Sequence, residues 1–150
     1  MTDSGEIGSV SPLMREFCQR FATAFPTLAY TEVFSEQLEI RIPPKHPDVG
    51  ALCVRDDGDE LTMLLGPHHH WHLPTTYFDD SPSELRADLT AQWAVDQIRA
   101  LLEDRLVLRV RWNDGKVRSS TTYAVDHPSM KPSSGEEREY VWSGPRESPT

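Results

Sequence analysis

The feature that most constrains the fold is an Asp-Gly turn signal that joins two strand-like segments. Residues 56–59 (DDGD) separate segments 49–55 and 60–65, and Asp-Gly between such segments is a strong β-hairpin signal. The second segment is apolar on both faces, which is typical of a central strand covered on both sides. The sequence therefore predicts a hairpin whose second strand lies inside a sheet.

Other segments alternate apolar and polar residues, as half-buried strands do. Residues 30–34 and 37–42 precede the first hairpin, and a second hairpin is predicted from 106–112 and 117–125. The outward face of this second hairpin carries three arginines, which we interpret as a solvated face partly neutralised by neighbouring acids. These are Arg109, Arg111 and Arg118.

Two amphipathic helices are predicted. Residues 11–25 begin with a Ser-Pro pair, which is a helix cap followed by a first-turn proline, and keep apolar residues at helical spacing until the next proline. Residues 81–105 begin with another Ser-Pro pair and carry a broad, alanine-rich apolar face. We expect this face to approach a sheet closely.

A second apolar stripe runs along the longer helix, away from the alanine-rich face. It consists of Leu85, Leu89 and Trp93, which are spaced four residues apart and therefore lie on one side of a helix. One interpretation is that the stripe packs against the N-terminal helix. The other is that it is an exposed partner surface with a tryptophan anchor.

The order helix, strands, helix, hairpin predicts an α+β fold with a mainly antiparallel sheet of about five strands and two helices packed on one face. We assign residues 1–126 to this single domain. Residues 127–150 contain four prolines and five serines, so we expect a largely disordered C-terminal tail. Within this tail, residues 140–142 can add an edge strand or cover an apolar patch.

Charge and hydropathy limit the classes of function. The net charge of −9 argues against binding nucleic acid, which requires a basic face, and suits a basic protein partner. No apolar run approaches the roughly 20 residues of a membrane helix, and residues 1–10 lack the pattern of a signal peptide. We therefore expect a cytoplasmic protein, in which Cys18 and Cys53 are buried free thiols.

Residues 61–73 (LTMLLGPHHHWHL) hold the only concentration of reactive side chains. If the strand continues through this segment, His68, His70 and His72 share one face, and His69 and Trp71 share the other. Two histidines that are two residues apart in a strand can bind one zinc ion, but a further ligand must come from elsewhere. The candidates are His46, His127, Asp79 and Asp80.

Three interpretations of the histidines remain open: a polar, partly buried edge, a partner contact that uses Trp71 and His69, and a metal site. A turn at residues 66–67 makes their geometry unpredictable. A nucleophilic Cys–His pair is also left open by the sequence, although both cysteines lie among apolar neighbours. No P-loop, dinucleotide-binding or serine-hydrolase motif is present.

Because a catalytic constellation is missing and the charge is acidic, we expect a protein-binding module, such as an immunity-like protein or inhibitor that masks a basic toxin. Its expected contact residues are Trp71, His69, Leu85, Leu89 and Trp93. The first alternative is a metal-binding protein or hydrolase with zinc at two of His68, His70 and His72, and no other cofactor is expected. The second is a structural module that associates as a homodimer through the stripe.

Overall fold

The computed structural model describes residues 10–126 and 137–146 of the 150-residue chain. Helix α1 (Pro12–Ala24) begins where predicted, because the hydroxyl of Ser11 accepts a hydrogen bond from the backbone N–H of Met14 at 3.0 Å. Helix α2 (Ser83–Leu102) has Pro82 as its N-cap residue. Both predicted helices are therefore confirmed, with small differences at the ends of α2.

The first sheet is five-stranded and antiparallel throughout, in the order β1-β2-β3-β4-β5. Its strands are β1 (Thr31–Phe34), β2 (Leu38–Ile42), β3 (Leu52–Asp56), β4 (Glu60–Leu65) and β5 (His69–Pro74). The Asp-Gly turn joins β3 to β4, as predicted. The predicted fold class, α+β with two helices against a mainly antiparallel sheet, is confirmed.

One face of this sheet carries the core. Cross-strand pairing aligns Ile40, Val54, Met63 and Trp71 in a row that runs from β2 to β5, and this row belongs to the same apolar cluster as α1 and α2. On the opposite face of β4, Thr62 is buried by neighbouring polar side chains instead of a helix. The expectation that apolar layers cover β4 on both sides is therefore wrong.

The second predicted hairpin does not extend the first sheet. It forms a separate four-stranded sheet, in the order β7-β6-β8-β9, with two strands from the C-terminal region. Its strands are β6 (Leu106–Asn113), β7 (Lys116–Ala124), β8 (Glu137–Val141) and β9 (Gly144–Pro145). Leu108, Val110, Tyr140 and Trp142 join the core cluster of the first sheet, so both sheets enclose one core.

The C-terminal region is therefore partly built into the fold. Tyr140 and Trp142 are buried in the core cluster, so residues 140–142 cover apolar surface. Strand β8, which contains Tyr140, lies between β6 and β9, so the alternative of an added edge strand is wrong. The remainder of the predicted tail, residues 127–136 and 147–150, lies outside the described residues. The division of the chain at residue 126 stays a prediction.

Two of the three arginines of the second hairpin pair with acids of the C-terminal strand. The guanidinium of Arg109 donates to Glu139 at 2.8 Å, and Arg111 pairs with Glu137 at 2.5 Å. The side chains of Arg109 and Glu139 are only 13% and 6% exposed, so the expected solvated face is wrong at this pair. Tyr123 also donates its hydroxyl proton to Glu139.

Candidate functional site

Three histidines of the cluster, His69, His70 and His72, lie on the second arm of a tight hairpin. Gly66 ends β4 with a positive φ of +52°, and a Cβ at this position would meet the carbonyl oxygen of Val49, so glycine is required here. Strand β5 then pairs back on β4, with His69 opposite Leu65 and Trp71 opposite Met63. The chain reverses at residues 66–68 instead of continuing as one strand.

This reversal separates the three predicted metal ligands. His68 lies in the turn, where its ring stacks on Tyr140 with 6.0 Å between centroids, and its Nε2 lies 2.9 Å from the carbonyl oxygen of Asp48. His70 and His72 point from β5 to the face of the first sheet opposite the helices. The condition for a shared face of His68, His70 and His72, a strand that continues through residues 61–73, is therefore not met.

His70 and His72 remain neighbours, with 5.4 Å between ring centroids. The Nδ1 atom of His72 lies 3.2 Å from the hydroxyl of Thr62 and 3.6 Å from a carboxylate oxygen of Glu60. These contacts orient the ring of His72 as part of a polar sheet surface. Within residues 10–126 and 137–146, no group of three or more His, Cys, Asp or Glu residues is arranged to hold a metal ion.

The proposed outside ligands do not complete such a group. The ring of His46 lies against Gly144 in the second sheet, and Asp79 and Asp80 follow the segment after β5. His127 lies outside the described residues. The described geometry therefore gives the zinc interpretation no support.

His69 and Trp71 do share a face, as predicted, and it is the face that meets the helices. Their rings stack with 5.2 Å between centroids, and the Nδ1 atom of His69 lies 2.7 Å from the hydroxyl of Ser120 in β7. Burial, followed by the neighbouring His70, lowers the pKa of His69. Trp71 packs against the core, so this pair joins the two sheets, and its role as a partner contact stays a prediction.

The stripe of Leu85, Leu89 and Trp93 on α2 is partly open to solvent. Leu85 and Leu89 are 46% and 38% exposed. Helix α1 meets a different side of α2, where Arg20 bonds to Gln92 at 2.9 Å and lies 4.0 Å from Asp88. The interpretation that the stripe packs against the N-terminal helix is therefore wrong.

The stripe instead meets a short 3-10 helix, Thr75–Phe78, between β5 and α2. The ring of Trp93 lies 4.8 Å from that of Tyr77 and 5.9 Å from that of Phe78, centroid to centroid. Tyr77 is 71% exposed. The exposed leucines thus continue into an aromatic cluster, and we call this surface the aromatic patch. It comprises Tyr77, Phe78, Leu85, Leu89 and Trp93.

Acidic residues are frequent in the segment that carries the aromatic patch. Segment 75–93 contains four acids and one arginine. The acids are Asp79, Asp80, Glu84 and Asp88. The arginine, Arg86, donates to the backbone carbonyls of Asp79 and Ser81 at 2.9 and 3.1 Å, so its charge is engaged in holding the loop before α2.

Tyr77 and Phe78 were not among the predicted site residues. The segment after Pro74 reads as a loop, and periodicity gives no reason to connect its aromatic residues with α2. The available signal was local: two adjacent aromatic residues followed by two aspartates, a few residues before an exposed leucine stripe. Aromatic residues that a loop exposes beside acids are candidates for a contact surface.

The cysteines are not suited to nucleophilic chemistry. Burial, with smaller contributions from Glu32 and Asp56, raises the pKa of Cys18 to about 11. Burial is also the largest cause of the raised pKa of Cys53. Because the thiolate is the reactive form, both thiols are poor nucleophiles at neutral pH.

Comparisons of this chain with protein-family models, curated proteins and solved structures find no match. Among the residues that the structure describes, no helix is long and apolar enough to cross a membrane. The described geometry and charge of the chain are thus the basis for a functional proposal.

Proposed function

We propose that this protein is a protein-binding module whose partner docks on the aromatic patch. The observations that carry the proposal are the exposure of Leu85, Leu89 and Tyr77 and the contact between the rings of Tyr77 and Trp93, which lies on the same side of α2 as the two leucines. Contiguous exposed apolar surface with an aromatic anchor is characteristic of interaction sites. Scattered single exposed residues need no such explanation, but a cluster does.

The patch is held in place before any partner arrives. Trp93 and the leucines project from a 20-residue helix, and the ring of Tyr77 is positioned against Trp93. The hydrogen bonds from Arg86 fix the connection between the 3-10 helix and α2. Side chains that are already ordered lose little conformational entropy on binding, which favours affinity.

The charge around the patch favours a basic partner. Its segment, residues 75–93, contains four acids and one engaged arginine, although Asp88 also lies 4.0 Å from Arg20 of α1. The whole chain carries a net charge of −9. Acidic groups around an apolar centre attract a cationic surface and accelerate association with it. An immunity-like or inhibitor-like role, in which the patch covers a basic toxin or enzyme, is the specific form of this proposal.

A second copy of the chain is not the favoured occupant of the aromatic patch. A two-fold contact places the same surface of each copy face to face. The two acidic borders would then lie close together, and like charges across an interface oppose association. A basic partner avoids this repulsion.

A comparative pull-down tests the proposal. Full-length wild-type protein and the Leu89→Glu and Phe34→Glu variants are used as bait in extract of the cells that encode the chain. Phe34 is 46% exposed and lies on β1, which contributes no residue to the aromatic patch, so it is a matched control. We expect a stoichiometric basic protein that wild type and Phe34→Glu retain and Leu89→Glu loses. A partner retained equally by all three baits would contradict the proposal.

A further inference from the structure

The outer edge of the second sheet has the features of a strand-pairing site. Strand β7 is the terminal strand of that sheet and is nine residues long. Within the described residues, β7 pairs only with β6, and most of its side chains are exposed. An exposed edge strand offers a row of backbone N–H and C=O groups to another strand.

The register shows which backbone groups point outward. The N–H of Val125 donates to the carbonyl of Arg105 at 2.9 Å, so these residues form a hydrogen-bonded antiparallel pair. Such pairs alternate with non-hydrogen-bonded pairs along the two strands. The residues of β7 whose N–H and C=O groups face away from β6 are therefore Ser120, Thr122 and Ala124.

The middle of this edge lacks the devices that protect most edge strands. Charged side chains, prolines and bulges commonly prevent edge-to-edge pairing. A bulge between Arg111 and Trp112 of β6 perturbs the start of β7, but residues 119–125 contain neither a charge nor a proline. By contrast, the edge strand β1 of the first sheet has only four residues, one of them Glu32.

Opposite charges flank this uncharged segment. Arg118 precedes it and Asp126 follows it. If two copies pair antiparallel about a two-fold axis at Thr122, Ser120 lies opposite Ala124. The same register brings Arg118 opposite Asp126, which lies in the turn two residues beyond the end of β7. The strand is thus complementary in charge to its own copy, and opposite charges across a strand pair stabilise it.

We infer that a second copy of this chain pairs with the first along β7, to give one sheet continuous across a two-fold axis. Strand β7 faces the copy through its backbone, whereas the aromatic patch is built from α2 and the 3-10 helix. This dimer does not depend on the proposed function. Closed two-fold symmetry pairs each edge once and leaves no further β7 edge free.

Light scattering on the full-length chain, combined with charge reversal, tests the inference. We expect a mass of twice 17.1 kDa for the wild type at concentrations of tens of micromolar. Arg118→Glu and Asp126→Arg should each raise the dimer dissociation constant at least ~fivefold, because each variant turns a favourable charge pair into a repulsive one. The double variant Arg118→Glu/Asp126→Arg should restore wild-type dimerisation. Lys45→Glu, in an exposed loop, makes the same kind of charge change and should have no effect.

Three results would overturn the inference. These are a monomeric wild type at several hundred micromolar, a dimer indifferent to both single reversals, and a double variant no better than the single ones. Thr122→Pro provides a second test, because it removes an outward N–H that β6 does not use. It should produce monomers whose circular dichroism spectrum matches that of wild type, and an intact dimer in this variant would also overturn the inference.

Discussion

The ring of Trp93 on α2 lies 4.8 Å from the ring of Tyr77 in the preceding 3-10 helix. Because of this contact, the surface around the stripe is formed by two segments, the 3-10 helix and α2. The contact leaves one side of Trp93 supported, since that residue also packs on the core, while the neighbouring leucines stay exposed. A preformed binding surface requires side chains that are ordered by contacts with the core and are still accessible to a partner.

The first prediction compares the contributions of Leu89 and Trp93 to the free energy of unfolding. Leu89→Glu should change the free energy of unfolding by less than about 0.5 kcal/mol, as exposed substitutions generally do. Trp93→Ala should lower it by about 2 kcal/mol, since a partly buried large side chain loses part of its core contacts. Urea denaturation followed by circular dichroism measures both. Equal destabilisation by the two variants would show that Leu89 is buried.

The second prediction concerns the aromatic core of α1. Phe17 is fully buried and lies 5.5 Å, centroid to centroid, from Phe21. Phe17→Ala should therefore lower the free energy of unfolding by about 3–5 kcal/mol, the range for buried aromatic truncations. The same truncation at Phe34, which is 46% exposed, should be much milder. A mild effect at Phe17 would mean that α1 is not docked as described.

The third prediction tests the place of the C-terminal strand in the second sheet. Glu139 holds Arg109 at 2.8 Å in a site where both side chains are nearly buried. Glu139→Ala should cost about 3 kcal/mol, because it leaves a buried charge without its closest partner. Glu103 pairs with Arg105 at a similar 2.9 Å, but both side chains are more than half exposed. Glu103→Ala should therefore have little effect in thermal or urea unfolding.

The fourth prediction concerns pH and His69. Burial lowers the pKa of His69 in the folded protein, so protonation favours the unfolded chain, whose histidines titrate near 6.5. This contribution to stability is complete above that value and is lost as pH falls through the folded pKa. Between about pH 7 and pH 5, wild type should lose more unfolding free energy than His69→Gln. Parallel pH profiles in urea titrations would contradict this.

The sequence was informative where the signal was local. The Asp-Gly turn located the hairpin of β3 and β4, and Ser11 located the start of α1. Both signals act within a few residues, through turn geometry and capping. The four-residue spacing likewise placed Leu85, Leu89 and Trp93 on one side of α2.

Features that depend on distant partners were not predictable. The ion pair between Arg109 and Glu139 joins residues 30 apart in the chain, and the pairing of β6 with β8 separates the second hairpin from the first sheet. Alternation of polar and apolar residues shows which face of a strand is buried, but not which strand lies beside it. The second sheet was missed for this reason.

In the candidate site, too, features set by local sequence were predictable and features set by distant contacts were not. Periodicity found the stripe but could not decide between α1 and solvent as its neighbour, and it gave no reason to add Tyr77. Strand alternation correctly paired His69 with Trp71. It failed for His68, because the turn after Gly66 moved that ring onto Tyr140.

The central claim is that the aromatic patch binds a basic protein, and titration calorimetry with the partner recovered by pull-down tests it most directly. We predict that Leu89→Glu raises the dissociation constant at least ~tenfold. This corresponds to a loss of about 1.4 kcal/mol of binding free energy, which is typical of a central contact residue. Phe34→Glu should bind as wild type does. Equal affinity of wild type and Leu89→Glu for that partner would contradict the claim.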